Sequence, residues 1–173
     1  MKYLAIILIT IMLGGCGVKV HTRQDKSADF SKYKTFCWLQ GCEFTYSGPS
    51  YLDDSLWRET IKESIITELA AKGISQDENN PDLLIDFHIA VENETSVQYQ
   101  QNEGQYKYQP FPETEDEIIN YLKGTMVIHM VDKAEGKIVW RSESIGYLDV
   151  NPQLTERNIR KGIRLTLKKF PPE

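Results

Sequence analysis

Leu83-Leu84-Ile85-Asp86-Phe87-His88-Ile89-Ala90-Val91-Glu92 decides how this chain folds. Successive side chains of a strand point to opposite faces. Leu83, Ile85, Phe87, Ile89 and Val91 therefore share one side, and Leu84, Asp86, His88, Ala90 and Glu92 the other. One side is apolar enough to be buried and the other is largely solvated, the pattern of a sheet covered on a single face. Pro81 bounds the strand upstream.

Working towards the C-terminus, two rules conflict. Thr114-Glu115-Asp116-Glu117 matches a capping box, which would start a short helix ending before Gly124. Ile118 to Val131 is instead rich in β-branched and aromatic residues, and Met126, Ile128 and Met130 alternate with Thr125, Val127 and His129. The second pattern predicts a strand from about residue 118, with Gly124 as a candidate bulge. Lys133-Ala134-Glu135-Gly136 then reads as a hairpin turn, and the return strand as Lys137 to about Asp149. Asn151-Pro152 or Thr155 opens a helix that turns Ile159, Ile163, Leu167 and Phe170 inward. Lys168 and Lys169 sit at its negative end, and Pro171-Pro172 stops it.

Working upstream, Asp53, Asp54 or Ser55 caps a helix that ends at Lys72 before Gly73. Trp57, Ile61, Ile65 and Leu69 recur every four residues, with Ile66 and Ala70 beside them, as one apolar stripe. Trp57 and Trp140 read as core. Residues 41–51 carry Gly, Ser and Pro and form a loop. Tyr33 to Trp38 is a strand with Phe36 and Trp38 on one face, and Val18-Lys19-Val20-His21-Thr22 alternates as a first short strand. Two amphipathic helices and about five half-buried strands predict an α+β fold. The architecture is a two-layer sandwich, a mainly antiparallel sheet with both helices packed on one face.

The N-terminus gives an address. Lys2 is a positive start, residues 3–12 are an apolar run, and Leu13-Gly14-Gly15-Cys16 closes it with small residues before a cysteine. The run is shorter than the roughly 20 residues a spanning helix needs. Residues 1–15 are read as a cleaved lipoprotein signal peptide and 16–173 as one lipid-anchored domain; an uncleaved anchor with an incidental cysteine is the alternative. A diacylglycerol and acyl group on Cys16 would be the only attached group, with no other cofactor. Two chains at about 0.8 kcal/mol per buried methylene hold a protein on a bilayer. Gly17, in place of an Asp, favours the outer membrane, and the lack of an acidic run after Cys16 favours a domain facing the periplasm. A strand starting at Val18 leaves almost no tether.

The formal net charge of −5 is spread along the chain, with no basic stripe. Nucleic acid is excluded as a partner on that ground. Cys37 and Cys42 flank Gln40-Gly41 and are either a disulfide across that turn or two separate thiols. So small a loop would stabilise only modestly. No nucleophile elbow, zinc-protease helix, phosphate loop or dinucleotide pattern occurs. His88 and His129 lie on the polar faces of their strands, and with Asp86 nearby could form a surface metal site. Solvated strand histidines are the commoner case, so no metal is expected. Tyr99, Tyr106, Tyr108 and Phe111 sit in a Gln-rich stretch where aromatic faces and amides suit a glycan or peptide, although aromatics packing on each other across a hairpin are the commoner case.

Several segments together resemble one family. Asp29-Phe30-Ser31-x-Tyr33-x-Thr35-Phe36-x-Trp38 is similar to the opening motif of the bacterial lipoproteins grouped as domain-of-unknown-function 4136. Leu69-Ala70-Ala71-Lys72-Gly73 with Pro81-Asp82-Leu83-Leu84-Ile85 resembles their central helix and strand. Gly124-Thr125-Met126-Val127-Ile128, Lys137-Ile138-Val139-Trp140-Arg141 and Lys169-Phe170-Pro171-Pro172 resemble their closing hairpin and terminal segment. The resemblance implies lipid-anchored, single-domain α+β proteins of Gram-negative envelopes and supplies no catalytic residues. Ser142 departs from it, since relatives usually carry Gly after the Trp-Arg pair. The expectation is a non-enzymatic envelope protein with a binding or structural role at the membrane surface. Its partners would be the membrane, through the lipid, and an envelope protein, glycan or peptide. The alternative is a glycan- or peptide-binding module using residues 98–111.

Overall fold

A computed structural model describes residues 18–100, 115–148 and 155–172. Cys16, Tyr106, Tyr108, Phe111 and the Asn151-Pro152 candidate cap lie outside them, and Tyr99 is placed only by its backbone.

In chain order the elements are β1 (Lys19–Gln24), β2 (Thr35–Trp38), α1 (Ser55–Ala70), β3 (Ser75–Gln76), β4 (Leu83–Gln100), β5 (Glu115–Asp132), β6 (Lys137–Leu148) and α2 (Glu156–Leu167). They form the α+β layers expected, a mainly antiparallel sheet with one strand more than about five and parallel pairing at one edge. The sheet has six strands in the order β1-β6-β5-β4-β2-β3. β1, β6, β5 and β4 pair antiparallel, but β2 runs parallel to both β3 and β4. The parallel pairs follow from α1, because a crossover helix returns the chain to the same end of the sheet. The sixth strand, two residues of β3, is too short to carry a periodic signal.

Local chemistry fixes the boundaries. Of the three candidate caps, Asp54 is the one used, its carboxylate accepting from the Leu56 N–H at 2.8 Å. α1 stops at Ala70 rather than Lys72. Gly73, at φ +79°, then turns the chain so that the Ile74 N–H reaches the Leu69 carbonyl. Thr155 caps α2 through the Asn158 N–H. Gly124 is not a bulge: it stays in register with Val91 on one side and Gly146 on the other. The irregularity lies between Met130 and Val131, which face Trp140 and Ile138. Val139 is thus the extra residue.

Leu83, Ile85 and Phe87 are buried with Phe36, Trp38, Ile128, Met130 and Trp140 beneath Ile61, Ile65 and Leu69 of α1 and Ile163 and Leu167 of α2. Leu84, Asp86 and His88 stay partly exposed on the face without helices. Trp140 is core, whereas Trp57 is only half-buried and packs at the margin. β6 pairs with β5 only as far as Leu122, and β4 pairs with β5 as far as Gln100↔Glu115. Beyond Asn93 and Leu122 these two strands pair only with each other among the described residues.

Candidate functional site

The helix layer does not close completely over the sheet. At the end where β1 begins, α1, α2 and the strands leave an apolar groove of about 320 Å³. Trp57 and Ile61 wall it on α1, Ile159 and Leu165 on α2, and Ile89, Val91 and Met126 on the sheet; Tyr46 and Leu52 add to it from the preceding loop. Three of its lining positions are glycines. Gly124 and Gly146 face each other across β5 and β6, and Gly162 stands on α2 above them. A Cβ at Gly162 would lie 3.6 Å from the Met126 methyl, and one at Gly146 would meet nothing within 4 Å. Asn158 and the exposed Lys161 stand at the rim. Val18, 40% exposed, lies against the same opening. No periodicity in the sequence announces this groove; three glycines in otherwise bulky elements are its one signal there.

The wall carrying Tyr46 is pinned by covalent chemistry. Cys37 and Cys42 are joined in a disulfide with a Cα–Cα distance of 4.8 Å. Gly41 and Cys42 both turn at positive φ, and the chain then lays Phe44 on Trp38 and Phe87, with ring centroids 4.9 and 6.0 Å apart. The Ile89 N–H donates to the Ser47 carbonyl at 2.7 Å, which fixes the loop against β4. α2 is tied down from the other side. The Ser142 hydroxyl donates to the Thr166 carbonyl at 2.9 Å, and Ser144 shares a hydrogen bond with the Thr166 hydroxyl.

The opposite face of the sheet is polar. Register places Asp86, His129, Arg141 and Arg23 in one row across β4, β5, β6 and β1, and His88, Val127, Glu143 and His21 in the next. The two histidines are neighbours, with ring centroids 5.6 Å apart. Asp86 Oδ2 lies 2.5 Å from His88 Nε2 and 3.5 Å from His129 Nδ1. Burial pushes the His129 imidazole below its ordinary pKa, against the pull of the Asp86 carboxylate, and favours the neutral ring. Its Nε2 is buried without a partner among the described residues. Arg141 beside it is ion-paired with Glu143.

A family model described as Domain of unknown function (DUF4136) matches residues 20–172. The chain belongs to that family. Among solved structures, this DUF4136 chain is similar to a PDZ domain protein from Parabacteroides distasonis, at 20% identity and a TM-score of 0.56. That match covers 90% of this chain but 36% of the other, so the DUF4136 chain spans about a third of that protein's length. It supports the fold alone. The PelC dodecamer from Paraburkholderia phytofirmans matches at 12% identity and TM-score 0.48, over 87% of this chain and 95% of that one. A minor lipoprotein from Acinetobacter baumannii matches at 11% and 0.34, over 79% and 91%. No curated protein matches the chain. Among the described residues, no helix is long and apolar enough to cross a membrane.

Proposed function

We propose that this protein is a non-enzymatic, lipid-anchored envelope protein, held by acylated Cys16 at the periplasmic face of the outer membrane, and that its groove takes one acyl chain of a membrane amphiphile. The observation that carries this reading is where the groove opens. Val18 lines the mouth, and Cys16 is two residues away, no more than about 7 Å of extended chain. A lipid on Cys16 would therefore set the opening at the bilayer surface. The lining is almost wholly apolar, so each methylene moved from water into it contributes about 0.8 kcal/mol. Lys161, which makes no ion pair among the described residues, suits the anionic head of a fatty acid or lysophospholipid at the rim.

The test is displacement of a fluorescent fatty acid from the purified lipidated protein in detergent by unlabelled palmitate and lysophospholipid. Saturable binding should occur, weaken about tenfold or more in Gly162→Phe, and depend on head charge through Lys161→Glu. Probe binding that Gly162→Phe leaves unchanged would sink the reading. If the lipidated protein does not bind and Cys16→Ala, which lacks the lipid, does, the groove already holds the anchor's chain.

A second reading uses residues 98–111 to bind glycan or peptide. It is favoured by the long β4–β5 pair, which continues past β6 towards that segment. Loss of envelope crosslinks on deleting 101–111, with fatty-acid binding intact, would favour it.

A further inference from the structure

We propose that Asp86, His88 and His129 form a binding site for a divalent transition metal of the zinc class, on the sheet face opposite the groove. Each offers one ligand atom, and these three atoms all lie within 4.8 Å of one another. A tetrahedral ion with bonds of about 2.0–2.1 Å sets its ligands roughly 3.3 Å apart. The Asp86 oxygen, at 2.5 Å from one histidine and 3.5 Å from the other, already brackets that spacing.

The placement is rigid because it is written in the ladder. Asp86 and His129 are directly opposed across β4 and β5, and His88 follows Asp86 by two residues on the same face. Two imidazoles and one carboxylate select zinc, copper or nickel over magnesium or calcium, which prefer all-oxygen shells. His88 is 39% exposed, so a metal held there keeps a position open to water and can be reached from solution. Arg141, directly across from His129, opposes a cation there, and its ion pair with Glu143 offsets part of that repulsion. A plain histidine–carboxylate hydrogen bond is the competing account, and it predicts no metal affinity.

The experiment is titration of the full lipidated protein, stripped with chelator and held in detergent, with Zn²⁺ against a competing chromophoric chelator. One equivalent per chain should bind. His88→Ala and His129→Ala should each weaken binding by more than the ~10–100-fold caused by losing a mere supporting partner. Zn²⁺ should also raise the melting temperature of the parent but not of the variants. His88→Ala changes an exposed side chain, so it decides the matter if His129→Ala fails to fold. No Zn²⁺ binding by the parent, or undiminished binding by the double variant, overturns the proposal. Gly162→Phe should leave Zn²⁺ binding untouched, so the groove and the metal site fail independently.

Discussion

At the scale of single residues, the most constrained group is Asp132 at the end of β5, and it holds structure. Its side chain is 3% exposed and accepts from Lys32 Nζ at 2.8 Å and the Tyr33 hydroxyl at 2.8 Å. The backbone N–H groups of Ala134 and Glu135 complete its set at 2.8 and 2.9 Å. Burial alone would raise its pKa, but these donors outweigh it and hold the carboxyl well below the usual range. Burial and the same carboxylate push the Tyr33 phenol up to about 12. A depressed folded-state pKa gives stability that is complete above the unfolded value of about 4 and is lost as pH falls below it. Asp132→Asn should therefore cost about 2–3 kcal/mol at neutral pH and flatten the acid limb of a stability-versus-pH curve measured by urea unfolding. The limb should persist in part, because Asp82, held low by the Lys34 and Thr35 N–H groups and by the Thr35 hydroxyl despite some burial, still titrates. Ser142 is the second case. Its side chain is fully buried and spends its hydroxyl on the Thr166 carbonyl. Ser142→Ala should lower stability by about 1 kcal/mol in the same assay.

At the scale of elements, legibility followed periodicity. β4 could be read because five apolar residues alternate over ten positions, and α1 and α2 because their stripes repeat at helical spacing. The parallel pairing of β2 with β4 could not, since only three residue pairs define it, and nothing in four residues of Phe, Cys, Trp and Thr specifies a partner. Side-chain alternation put His88 and His129 on polar faces. That Asp86 stands opposite His129 depends on the β4–β5 register, which the alternation along each strand does not specify. The groove was invisible for a different reason: Gly124, Gly146 and Gly162 shape it by absence, and absence has no hydropathy. Gly162 makes this testable within α2. A helix-interior Gly costs up to about 1 kcal/mol relative to Ala, and the added methyl would sit at ordinary contact distance from Met126. Gly162→Ala should raise the melting temperature while modestly weakening fatty-acid binding, and Gly162→Phe should weaken binding about tenfold or more. A stabilised Gly162→Ala with unchanged affinity would place the chain elsewhere.

At the scale of the whole molecule, the sheet's ladder determines what the anchor can do. β1 is the outer strand beside β6, and its pairing starts at Lys19↔Ile145. Lys19 and Arg23 along it blunt the open edge against pairing with another chain. Under the proposed anchoring, Cys16 and Gly17 alone would join the lipid to Val18, so the domain could neither turn freely nor move away from the bilayer. The groove mouth would then face lipid by construction, and the Asp86–His88–His129 face would lie across the sheet from it. Separating affinity from geometry tests this arrangement. Ten Gly/Ser residues inserted between Gly17 and Val18 add a coil of roughly 17 Å. The insertion precedes the first ladder pair, so the unfolding midpoint should not change. Affinity for palmitate in detergent should also stay the same, because the lining is untouched. Uptake of a fluorescent fatty acid from vesicles that carry the anchored protein should slow, since the mouth no longer rests on the surface. Equal uptake by the tethered and extended forms would mean that the short anchor holds the protein but does not aim it.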